Sequence, residues 1–192
     1  MPATPTSEDA RPLRADARRN RAKVLAAARE AFTAEGLAVP LDEIARRAGV
    51  GAGTVYRHFP TKEALFEAVV SDTLESQTAR GRAALAEDDP GAALFTFLEE
   101  LVAGAMVKMD LADALIGAGV PLQPGTSAVA ARLREVLVEL LTRAQASGAV
   151  RTDVDGADLY ALIAGAVAAE RRRPADTRDG RLVRVLCDGL RA

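Results

Sequence analysis

The sequence predicts an all-α protein, with an N-terminal three-helix helix-turn-helix unit followed by a larger helical domain. Three observations predict it. Apolar residues recur every three or four positions in segment after segment, as they do along one face of a helix. No stretch shows sustained alternation rich in β-branched residues, and no Asn-Gly hairpin signal occurs. Glycine and proline fall between the periodic segments, where helices stop and restart.

The elements follow in order. Residues 1–13 hold Pro2, Pro5 and Pro12 among small polar residues and read as a disordered tail. A first helix runs from about Asp16 to Glu35, with Val24, Leu25, Ala28, Ala31 and Phe32 as its apolar stripe, and Gly36 ends it. Two short helices, Leu41 to Ala48 and Ala52 to His58, are separated by Gly49. Pro60 breaks the second, and Thr61 can cap a helix that reaches about Glu87 and buries Leu65, Phe66, Val69 and Val70. "EDDPG", Glu87 to Gly91, reads as a linker. Ala92 to Met109 carries two apolar stripes, so that helix is buried over most of its circumference. A short piece, Leu111 to Gly117, leads to a Pro/Gly loop, Gly119 to Ser127. Val129 to Ser147 is strongly periodic and stops at Gly148. Asp155 to Arg172 and Thr177 to Leu190, on either side of Pro174, complete about nine helices.

Bulk properties narrow the function. With 192 residues, 49% apolar and 27% charged, the chain can build a sizeable core and does not read as disordered. A single cysteine, Cys187, excludes an intramolecular disulfide and a cysteine-based zinc site. The first twenty residues hold no apolar signal-peptide segment, and no apolar run reaches the length of a membrane span; "ALIAGAVAA", Ala161 to Ala169, stops at "ERRR". The expectation is a soluble, cytoplasmic protein without membrane contact. Net charge is −2 but uneven: Arg11 to Lys62 holds 11 Lys and Arg against 5 Asp and Glu, and Glu63 onward holds 14 against 20. A basic N-terminal third points to an anionic partner at that end, with a merely solvated basic face as the plain alternative.

"LDEIARRAGVGAGTVYRHF" has the layout of a helix-turn-helix. Ala45 is small where the two helices cross, and Gly49 supplies the positive φ of a sharp exit. Ile44, Val50, Val55 and Phe59 point inward, which leaves Ala52, Gly53, Tyr56, Arg57 and His58 outward and Thr54 at the edge. His58 is the only histidine. A catalytic histidine needs an orienting partner, and a metal-binding one needs further ligands; no second His and no nearby Cys is available. A packed or exposed side chain and a polar contact to phosphate both remain open on the residues alone.

Ala28 to Val70, "AREAFTAEGLAVPLDEIARRAGVGAGTVYRHFPTKEALFEAVV", resembles the DNA-binding domain of TetR/AcrR-type transcriptional regulators, on "EIA", "AGV", "GTVYRHF" and "KEAL". It looks most like an actinobacterial, SbtR-like subgroup, which suits 22 Arg against 3 Lys. The resemblance implies that Ala48–Gly49–Val50 is the turn and Ala52 to His58 the recognition helix. It implies phosphate contacts from Thr54, Tyr56 and His58, and base-edge positions at Ala52, Gly53 and Arg57. Thr61 and Lys62 match a phosphate clamp at the next helix start. Pro40 and Gly51 stand where the family often has a hydroxyl, so Arg57 is the best hydrogen-bonding base reader left. Arg11, Arg14, Arg18 and Arg19 could extend the basic footprint.

For residues 61–192 the resemblance implies effector binding and dimerisation, with residues 14–60 as the DNA-binding domain. Candidate effector-pocket residues are Phe95, Leu98, Val102, Met106, Met109, Leu115, Leu137 and Tyr160, each of which, taken singly, reads first as core. Candidate dimer residues are Ala161, Ala164, Gly165, Ala168, Leu182, Val185, Leu186 and Leu190. The implied partners are an operator duplex, a second copy of the chain and an unknown small-molecule effector, with no cofactor, no metal and no catalytic residue. The implied function is a homodimeric repressor released from a palindromic operator; an activator, or a helical adaptor for another acidic surface, is the alternative.

Overall fold

The structure, a computed structural model, describes residues 10–117, 124–174 and 177–192. Among them are eight α-helices and one 3-10 turn. The helices are α1 (Ala10–Glu35), α2 (Leu41–Ala48), α3 (Ala52–His58), α4 (Lys62–Ala84), α5 (Pro90–Gly117), α6 (Pro124–Ala146), α7 (Gly156–Arg171) and α8 (Arg181–Leu190), and the turn is Gly36–Ala38. An isolated antiparallel bridge joins Val150 to Arg191. The chain divides into two compact units, with one division between Val69 and Val70.

Several helix starts differ from expectation, and each difference has a local cause. Helix α1 begins at Ala10, so residues 10–13 of the expected tail are helical, while 1–9 lie outside the described residues. Pro12 falls in the first turn, where a missing N–H forfeits no intrahelical bond. Helix α5 begins inside the expected linker. Asp89 caps it, its carboxylate accepting from Ala92 N–H at 3.0 Å, and Pro90 takes the first helical position. Gly91 is required there, because a Cβ would stand 2.5 Å from the Ala149 Cβ. Pro124 likewise opens α6, so the helix takes in residues 124–127 of the expected loop. The earlier loop residues 119–123 lie outside the described set. Met109 to Leu111 carries no glycine or proline, and the two expected pieces there are one helix.

In the first unit α1, α2, α3 and the start of α4 enclose an apolar core. Val24, Leu25, Phe32, Ile44, Val55, Leu65 and Phe66 are buried, with the Phe32 and Phe66 rings 6.1 Å apart. Gly49 leaves α2 at φ 65°, and its N–H donates to Arg46 O while Val50 N–H donates to Ala45 O. That pair of bonds is a Schellman closure, and it turns the chain sharply into α3. The second unit builds its core from α5, α6, α7 and α8, around Leu94, Leu98, Leu140, Leu159 and Leu190. Glu170 is buried at the end of α7. It accepts from Leu182 N–H at 3.3 Å and pairs with Arg173, which also reaches Asp179 at 3.1 Å. The acid of "ERRRP" thus ties α7 to α8, whereas the favourable charge expected at this helix end can come only from its arginines.

Candidate nucleic-acid interface and ligand cavity

Helix α3 is two-sided. Val55 is fully buried and Phe59 nearly so, while Gly51, Ala52, Gly53, Tyr56, Arg57 and His58 are exposed and Thr54 is half-buried. The i to i+4 spacing of Val55 and Phe59 anchors one face and forces the other outward. Gly51 is the N-cap of α3 and Pro40 that of α2, and neither provides a side-chain cap. Thr61 caps α4, its hydroxyl accepting from Ala64 N–H at 3.1 Å. Lys62 is half-buried and has an interaction partner in the chain. Beside it, the Glu63 carboxyl is held below its ordinary value by a bond from its own backbone N–H, then by the Thr61 hydroxyl and the Lys62 charge.

Two features of this face lie beyond the sequence reading. The Arg21 guanidinium of α1 stacks on the Phe59 ring, 5.4 Å from its centroid, which brings a further exposed cation to the end of α3. Nothing local marks Arg21 among its arginine neighbours, since its partner lies far along the chain. Asp42, in the first turn of α2, raises the Tyr56 phenol above its usual value by its charge, with desolvation and a hydrogen bond to the same carboxylate adding to the effect. The four α1 arginines named above divide: Arg18 and Arg19 are exposed, Arg19 pairing with Asp16, and the side chains of Arg11 and Arg14 lie outside the described residues.

In the second unit a cavity of about 250 Å³ opens among α4, α5, α6 and α7. Leu137 and Tyr160 line it as expected, together with Leu74 and Gln77 of α4, Leu101 of α5, Leu133 and Arg134 of α6 and Ile163 of α7. Phe95, Leu98 and Val102 do not line it. They are buried in the core, with Phe95 covered by the Arg191 guanidinium at 4.4 Å. The side chains of Met106, Met109 and Leu115 lie outside the described residues. Ala164, expected on the dimer face, lines the cavity instead.

Between α7 and α8 lies an open apolar groove of about 570 Å³, walled by Ala161, Leu162, Gly165, Leu182, Val185, Leu186 and Leu190. Leu162 is 42% and Val185 62% exposed, whereas Ala168 is half-buried and does not line the groove. Leu162, which the small-residue pattern of α7 does not single out, faces it as well. Among the described residues no cluster of three potential metal ligands occurs, and no helix is long and apolar enough to cross a membrane.

A glycine-turned helix pair presenting a cationic, solvent-facing second helix is the framework of a helix-turn-helix nucleic-acid-binding protein. The comparisons with known proteins sharpen that class. Residues 24–69 match the family model of bacterial regulatory proteins of the tetR family, and residues 89–192 match that of the transcriptional regulator SbtR-like C-terminal domain. A TetR transcription regulatory protein from Mycobacterium vanbaalenii shares 48% identity over 94% of this chain and 99% of its own, with a TM-score of 0.78. A TetR transcriptional regulator from Streptomyces coelicolor shares 35% identity over 89% of this chain and 98% of its own, with a TM-score of 0.75. The HTH-type transcriptional regulator TtgW of Pseudomonas putida is 43% identical over 63 residues, covering 32% of this chain and 47% of that protein. The match thus spans about half the length of that curated relative. The chain belongs to the TetR family of transcriptional regulators.

Proposed function

We propose that this chain is a cytoplasmic, homodimeric, sequence-specific DNA-binding repressor, released from a palindromic operator when a small molecule occupies the α4–α7 cavity. Residues 14–60 are assigned to DNA and residues 61–192 to effector binding and dimerisation, and the protein is assigned neither catalysis nor a cofactor. The observation that carries the reading is the two-sided α3. Its inner face is locked by Val55 and Phe59, and its outer face offers Tyr56, Arg57 and His58 with Arg21 alongside. Thr54, Tyr56, His58, Thr61, Lys62 and Arg21 serve phosphates, and Arg57 reads a guanine edge while Ala52 and Gly53 let the helix approach closely.

One recognition helix reads few bases, so a second copy is required, and the apolar groove between α7 and α8 suits it. Operator and effector then select different arrangements of the dimer and weaken each other reciprocally. Helix α4 is one covalent link between the units, since it begins next to the recognition helix in sequence and contributes Leu74 and Gln77 to the cavity wall.

The test is fluorescence anisotropy with labelled duplex from upstream of the gene, titrated across salt. Affinity is expected to fall steeply, with a log–log slope of about −0.9 for each phosphate neutralised. Absence of salt-dependent duplex binding by the folded dimer would overturn the reading in favour of an adaptor for another acidic surface.

A further inference from the structure

The effector cavity has a chemical signature of its own. Among the described lining residues the wall is apolar apart from Gln77, Arg134 and Tyr160. Gln77 is only 7% exposed, and Gly104 makes its seat possible, because a Cβ there would stand 2.9 Å from Gln77 Nε2. Arg134 is the sole charged side chain among the described lining residues. Its guanidinium lies over the Tyr160 ring, 5.5 Å from the centroid, and no carboxylate pairs with it among the described residues. A second cavity of about 350 Å³ shares Arg134, Leu137 and Tyr160, so the stacked pair stands between the two spaces.

We infer that the α4–α7 cavity takes a small amphipathic monoanion, an apolar body ending in a carboxylate, with Arg134 as the residue that binds the acid. The inference rests on the effector-cavity reading given above and specifies its ligand. A guanidinium with no carboxylate partner among the described residues repels an organic cation, leaves a neutral ligand without a partner for its own donors, and matches a carboxylate with two parallel N–H bonds. Tyr160 holds the guanidinium at the rim while the site is empty, and the planar stack can persist when the acid binds in the guanidinium plane. Leu74, Leu101, Leu133 and Ile163 receive the apolar body. A space of about 250 Å³ filled at protein-like density holds a ligand of about ten to twelve non-hydrogen atoms.

Octanoate, octanol and octylammonium share one apolar body and differ in charge, so they isolate the contribution of Arg134. Calorimetric titration of the DNA-free dimer is expected to rank octanoate first, by roughly tenfold over octanol, with octylammonium weakest. Arg134→Met keeps an apolar stem at an exposed position and is expected to bring octanoate down to the level of octanol. Ala130→Leu, which fills the cavity from α6, is expected to weaken all binding. Equal affinity for the three probes, no octanoate binding, an unchanged octanoate affinity in Arg134→Met, or full binding in Ala130→Leu would each overturn the inference. Adding operator DNA separates the two readings: octanoate that binds through Arg134 without displacing DNA leaves this inference standing and removes effector-driven release.

Discussion

Gly49 and Gly53 stand in one short stretch, and the same substitution is expected to act on them with opposite sign. A Cβ meets nothing within 4 Å at either position, so space decides neither outcome. Gly49 has φ 65°, where alanine is strained, and Gly49→Ala is expected to lower the unfolding free energy by about 1–2 kcal/mol. Gly53 lies inside α3 without a positive φ, and Gly53→Ala is expected to raise it by about 0.5–1 kcal/mol. Urea denaturation of both variants reads the difference. DNA binding separates two arginines in the same way. Arg21→Ala is expected to weaken binding uniformly across sequences and to reduce the salt slope by about one unit, as loss of a phosphate contact does. Arg57→Ala is expected to cost about 1–3 kcal/mol at one base position and to relax the preference there. Anisotropy titrations against a set of single-base operator variants tell the two patterns apart. Arg57 was legible in the sequence because its neighbours Val55 and Phe59 fix which way it faces. Arg21 was not, because its place depends on a ring contributed by another helix.

Helix α2 is held to α1 by charge as well as by apolar contact. Arg47 bridges Glu35, at the end of α1, at 2.6 Å and Glu43 at 2.8 Å, while Arg46 makes two further bonds to Glu43. These bonds, that from Arg46 first and then that from Arg47, pull the Glu43 carboxyl from 4.5 down to about 2. A folded-state value below the unfolded one means that the carboxylate stabilises the fold at neutral pH. That contribution is lost as pH falls from 4.5 towards 2. Glu43→Gln is therefore expected to be less stable than the parent at pH 7 and to show a shallower loss of melting temperature on acidification, followed by circular dichroism. The same element shows what a sequence can disclose. Gly49, Val55 and Phe59 specify the turn locally, and the helix-turn-helix was readable almost residue by residue. Helix α5 was not. It carries two apolar stripes, so periodicity does not say which of them meets a cavity, and the structure turns Leu101 rather than Leu98 or Val102 to it. Asp89-Pro90 read as a linker because proline breaks helices in general, whereas just after a capping aspartate it starts one.

Assembly decides whether these parts act together, and the α7–α8 face offers a clean handle on it. Val185 is 62% exposed on a single chain, and Leu162 across the same groove is 42% exposed. A glutamate at position 185 would stay hydrated on an isolated protomer and would change its stability little, within about 0.5 kcal/mol. Against a second copy the same charge would be buried without a partner, which costs on the order of 3–5 kcal/mol, and the symmetry of a twofold interface introduces it twice. Val185→Glu is therefore expected to shift the protein from dimer to folded monomer, read by light scattering on a sizing column with circular dichroism as the check on folding. The monomer retains the intact first unit, so it is expected to keep weak, salt-sensitive binding to duplex DNA. It is expected to lose the affinity that depends on two half-sites joined in one molecule. A variant that remains dimeric with undiminished operator affinity would place the interface elsewhere on the second unit and leave the exposed Val185–Leu162 surface without the role assigned to it.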